Sequence, residues 1–180
     1  SEQTSFQSVM GLAVMPASYA LQAQRYIADY GATPEMFGQV AVKSHKNGAL
    51  NPYAQYQKEV TLEEVMASRM IADPITLLQC SPTTDGAAAV IICAADKAAK
   101  YSATRSMTVA GWATGSGKFA SKEESEGDAE TNSGEVERLS RQAYERAGIG
   151  PESVDVTQVH DAFSPGEIFV AEGLGLVARG

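Results

Sequence analysis

The chain has 180 residues, 44% of them hydrophobic and 20% charged, the composition of a globular domain with enough chain to enclose a core. Its formal net charge of −8 argues against a nucleic-acid surface, which needs clustered Lys and Arg, but leaves room for an anionic small substrate held by a few local cations. No apolar run is long enough for a transmembrane helix, no signal peptide is visible, and two cysteines with two histidines offer no metal-ligand spacing.

Ser1 in place of Met, and a stop at Arg179-Gly180 just after a helical pattern, make both ends look cut. Residues 8–30 read as helical, interrupted early by Gly11 and Pro16, with Ala20, Leu21, Ala23, Ile27 and Ala28 on one packed face. Gly31 is the stop. Thr33 as N-cap and Pro34 at the first helical position open a second helix, which carries Met36, Phe37, Val40 and Ala41 to about Ser44. Residues 45–60 read as an irregular loop with turn dipeptides Asn47-Gly48 and Asn51-Pro52. Thr61 and Glu64 form a capping box for a short helix to about Ser68, and 71–78 is extended, with Pro74 barring a helix.

The uninterrupted apolar run 87–94 predicts a strand buried on both faces. A short helix over 95–101 and a second strand over 104–112 follow, then a Gly-, Ser- and Glu-rich loop over 113–131. Asn132 and Glu135 are a second capping-box pair, opening a helix whose stripe is Val136, Leu139, Ala143 and Ala147 and whose stop is Gly148. The branched run 154–159 predicts a strand ending on His160, and Ser164, Pro165 and Gly166 then start a last helix. Alternation of this kind predicts layered α/β structure, with 1–78 a mostly helical insertion outside the sheet. Cys80 and Cys93 read as buried free thiols of a reducing cytoplasm.

An imidazole at a strand mouth is aimed by rigid backbone, which makes His160 the first candidate for chemistry. The run VHDAFS over 159–164 resembles the His-Asp-Cys/Ala-Phe signature of sterol carrier protein-type and lipid-transfer thiolases. The similarity extends in family order through ALQAQRYIADYG (20–31), VKSHKNGALNPYAQ (42–55), 62–78 and DGAAAV (85–90). The family's nucleophilic Cys context and its Gly-His-Pro loop do not occur in these residues.

The resemblance implies a partial thiolase-like fold, layered helices and mixed sheet with a helical loop domain. On that map 1–78 is loop domain, 79–95 the last strand of the first half and 96–180 the start of the second half, in a protein about twice this long. It implies a soluble cytoplasmic acyltransferase of acyl-CoA thioesters with fatty or sterol-derived acyl groups. Coenzyme A is a substrate, with no covalently bound cofactor and no metal. Such chemistry needs a thiolate for the acyl group, a base for the α-proton and donors for the thioester and enolate oxygens. By resemblance His160 is one of those donors, with Asp161 as its partner or as a cap of the following turn. Met10, in a Val-Met-Gly segment like the family's, and His45 and Asn51, in the turn-rich loop, would bound the acyl-CoA site. Phe163 stands with them, although packing is its first reading. Glu167 faces the site more readily than Glu172, because five residues of helix turn the two apart. Lys97, Lys100, Arg105, Lys118 and Lys122 read first as a solvated face. The implied partners are a second copy of the chain and, for a related retro-aldolase that cleaves steroid side-chain CoA esters, a small OB-fold (DUF35-type) protein. In that reaction Tyr53 and Tyr56 are acid/base candidates. The remaining alternative is a non-catalytic lipid- or CoA-binding scaffold.

Overall fold

The computed structural model describes residues 14–101, 106–116 and 132–180. Helix α1 (Met15–Tyr30) ends where Gly31 takes the left-handed conformation, φ 71°, and its amide donates to Ile27 O at 2.9 Å. Thr33 is extended, and α2 (Pro34–Ala49) starts at Pro34 as expected. The helix outruns its predicted end. Asn47-Gly48 is therefore the last turn of α2 and not a loop turn. An added Cβ at Gly48 would stand 3.0 Å from Tyr56 O, so glycine lets the 50–56 loop fold back on the helix end.

The capping box forms as predicted: Glu64 N donates to Thr61 Oγ1 at 3.1 Å, and Thr61 N donates to Glu64 Oε2 at 2.7 Å. The bond from the Thr61 amide to the carboxylate holds the Glu64 pKa below its usual value. Helix α3 (Leu62–Ala67) leads into an antiparallel pair, β1 (Met70–Ala72) and β2 (Ile75–Thr76), and then one 3-10 turn, Leu77–Gln79. Helix α4 (Ala98–Tyr101) is short. Helix α5 (Asn132–Ala147) begins at Asn132 itself, so that residue lies inside the helix and not before it. Helix α6 (Pro165–Gly173) follows the His160 turn and packs on α5 and, less extensively, on α1 and α2.

Two apolar groups hold the helices. Ala20, Ile75 and Phe163 form one cluster with Tyr19, Ala72 and Cys80 around it. Tyr26 contacts Tyr30, Phe37 and Phe169 in the other, joining α1, α2 and α6. The α5 stripe lies against 111–115, where Gly111 meets the backbone of Ala143 and Ala147 and Gly115 approaches Leu139.

Three expected strands are not formed among the described residues. Residues 87–94, the described part of 104–112, and 154–160 have no β-pairing. The run expected to be buried on both faces is open, with Ile91 91% exposed, and Met107 at 84% and Val156 at 83% are exposed as well. Cys93 is exposed with its run, and Cys80 is half-buried. The physical reason is that strand burial is collective: an apolar run becomes a buried strand only beside others that satisfy its N–H and C=O groups. The expected helix over 8–14, Met10, the 117–131 loop, Arg105, Lys118 and Lys122 lie, wholly or nearly so, outside the described residues. No described helix is long and apolar enough to cross a membrane.

Candidate active site

The turn from His160 to Ser164 is fixed from behind. Ser81 N donates to Ala162 O at 2.9 Å and Ser164 N to Gln79 O at 3.0 Å, an isolated antiparallel bridge that sets Cys80 beside Phe163. Phe163 is 8% exposed, with its ring centroid 4.8 Å from that of Tyr19, so its visible role is packing. Below it runs a chain of buried polar groups. Ser164 Oγ donates to Gln79 Oε1 at 2.7 Å, Gln79 Nε2 to Thr76 Oγ1 at 3.2 Å, and Thr76 Oγ1 to Val65 O at 2.8 Å. The chain anchors the turn to the end of α3 through satisfied hydrogen bonds.

In front of the turn lies a cavity of about 240 Å³. Its wall is shared. Helix α2 and the following loop bring Val40, Ser44, His45 and Tyr56, and the Cys80 and Asp161 segments close it. His45 stacks on Tyr56 at 5.7 Å with 14° between the rings, and His45 Nδ1 is buried without a hydrogen-bond partner. Asn51 accepts from Tyr53 N at 3.0 Å, so its side chain shapes the turn before Tyr53. Tyr53 itself is exposed. His160 is exposed and does not itself line the cavity, although its neighbour Asp161 does. Asp161 accepts a long bond from Ser44 Oγ, 3.4 Å.

The two glutamates of α6 diverge, as the helical spacing predicts. Glu167 pairs with Lys43 on α2. Glu172 is buried, accepting from Tyr26 Oη at 2.5 Å and from Gly180 N at 3.0 Å. Burial, then the bond to Glu172, pushes the Tyr26 phenol up to about 12. Burial also raises the Cys80 thiol, whose Sγ lies 3.4 Å from Thr76 O. That is the reverse of what activates a nucleophile. Lys97 and Lys100 are exposed. A larger groove, about 830 Å³, runs between α5 and the end of α6 and contains none of the candidate residues. Sequence reasoning missed Lys43 and Gln79. Gln79 carried one faint signal, a polar residue directly after Leu77 and Leu78.

A helical region folded onto a buried-back, open-fronted His-Asp-Ala-Phe turn is a partial thiolase-like α/β arrangement. Residues 3–96 match the family model "Thiolase, N-terminal domain" and residues 117–180 match "Thiolase C-terminal domain-like", and the chain belongs to the thiolase family. It is 39% identical over 169 residues to "Benzoylsuccinyl-CoA thiolase subunit BbsB" of Thauera aromatica, covering 93% of this chain and 43% of that protein. It is 41% identical over 168 residues to "Acetyl-CoA acetyltransferase" of Methanothermobacter thermautotrophicus, covering 92% and 42%. "Sterol carrier protein 2" of Homo sapiens is 33% identical over 168 residues, covering 93% and 31%. The solved structure "Ltp2-ChsH2(DUF35) aldolase" superposes with a TM-score of 0.81 at 30% identity over 99% of this chain and 47% of that one. The chain thus spans less than half the length of these relatives.

Proposed function

We propose that the chain is the central part of a thiolase that makes or breaks a carbon–carbon bond beside a CoA thioester, with 1–78 as loop domain, 79–95 closing the first half and 96–180 opening the second. The observation that carries this reading is the cavity shared between α2 with its loop and the His160 turn. Its mixed wall suits a ligand with both apolar and amide character. His160 donates a hydrogen bond, directly or through water, to the thioester or enolate oxygen as negative charge develops there. His45 contacts the ligand from the opposite wall. Met10 belongs to the same site, while Asn51 and Phe163 support it through turn and core. Cys80 does not carry the acyl group, and the nucleophile comes from another part of the whole protein. Fatty or sterol-derived acyl chains and a homodimer are the substrate and assembly this reading expects.

The test is cleavage of a 3-ketoacyl-CoA by the full-length protein, with and without free CoA. His160→Ala lowers kcat by about 10²–10³-fold, the effect of losing one oxyanion donor, while the fold is retained. An unchanged kcat refutes the role. Similarity to an aldolase favours a second reading, retro-aldol cleavage of a steroid side-chain CoA ester with a DUF35-type partner and Tyr56 as acid/base. That reaction, on a 3-hydroxyacyl-CoA, proceeds without free CoA, whereas thiolysis of the 3-ketoacyl-CoA stops without it.

A further inference from the structure

We propose that Lys43 is a positioning residue for the His160 turn, an inference that rests on the acyl-CoA reading above. The back of the turn is held at 162–164 by buried bonds, but its front is not. His160 follows a segment, 154–159, that has no β-pairing, and both His160 and Asp161 are exposed. Two side-chain contacts from consecutive residues of α2 flank the turn, one at this front and one beyond the bridge. Ser44 Oγ donates to Asp161, directly after His160, and the Lys43 ammonium pairs with Glu167 in the first turn of α6. The two contacts grip the turn on either side of its buried bridge. The next residue of α2, His45, is part of the cavity wall. One helical turn therefore carries both the tether and the surface that the turn must face.

Of the two, Lys43–Glu167 is the stronger contact, because the Ser44 bond is at the long limit of hydrogen bonding. Glu167 also sits where the positive end of the α6 dipole favours a carboxylate. The side chains of Lys43 and Glu167 are 50% and 24% exposed, so water screens the pair and it adds little to global stability. Its use is geometric: it sets the spacing between the His160 turn and the opposite wall. A displacement of about 1 Å at such a site costs up to about 10²-fold in rate.

The experiment is a set of full-length variants assayed for acyl-CoA cleavage alongside thermal unfolding. Lys43→Met lowers kcat about 10-fold or more with KM within about twofold and the melting temperature nearly unchanged. Lys43→Arg, which keeps the charge, recovers most of the rate. Glu167→Gln reproduces the loss, and the double variant is no worse than either single one, the signature of one shared interaction. A wild-type protein with no acyl-CoA turnover sinks the underlying reading. An active wild type with Lys43→Met equally active overturns the positioning role alone. So does a rate loss that tracks a fall in melting temperature and is not recovered by arginine.

Discussion

Ser164→Ala removes one hydroxyl from the buried chain behind the His160 turn. Ser164 is 4% exposed, Gln79 3% and Thr76 1%, with Ser164 and Gln79 bordering the cavity in front of the turn. Gln79 Oε1 is left without its 2.7 Å partner. An orphaned buried acceptor costs about 1–3 kcal/mol, and the centre of that range, about 2 kcal/mol, is expected here because the amide nitrogen keeps its own bond to Thr76. Gln79→Met produces the converse defect, an orphaned Ser164 hydroxyl, at about the same cost. With both substitutions together no polar group is stranded. The double variant should lose about 2–3 kcal/mol instead of the additive figure of about 4, a coupling of about 1–2 kcal/mol. Urea unfolding of the full-length protein gives these values from the shift in midpoint at constant slope. Additivity within about 0.5 kcal/mol would refute the argument that the chain acts as one unit.

Gly111→Ala places a methyl 2.4 Å from Ala143 O and 2.9 Å from Ala147 N, backbone atoms that cannot swing away. It should cost about 3 kcal/mol in unfolding free energy, at the upper end for overpacking. Gly86→Ala meets nothing within 4 Å and should stay within about 0.5 kcal/mol, and equal effects of the two would disprove the close approach. Tyr26 holds its proton more tightly in the fold than when unfolded, its pKa rising from 10.0 to about 12. Its contribution to stability is therefore full below pH 10 and is lost as pH rises through about 12. Unfolding midpoints measured across that window should fall less steeply for Tyr26→Phe than for wild type, and parallel curves would count against the shift.

Local chemistry was the most legible part of this sequence. Gly31, Thr33-Pro34 and the Thr61–Glu64 box punctuate helices by bonds that span four residues or fewer, so a reader of the chain sees both partners at once. The three apolar runs failed for the converse reason: composition reveals that 87–94 can be a buried strand, but pairing is a property of neighbours. At the site, His160 and Asp161 were visible through a contiguous motif. Lys43 and Glu167 are 124 positions apart and Ser164 and Gln79 are 85 apart, separations at which no local pattern marks a partnership.

The bare runs at Ile91, Met107 and Val156 also shape how this polypeptide must be handled. Each is short, β-prone and poor in charge, with open hydrogen-bonding edges, which is the make-up of a template for intermolecular pairing. The helices around Phe37 and Phe163 close through their own contacts. Until partners arrive, therefore, these 180 residues made by themselves would present sticky edges on a helical body. They would self-associate at concentrations where a completed sheet stays dispersed.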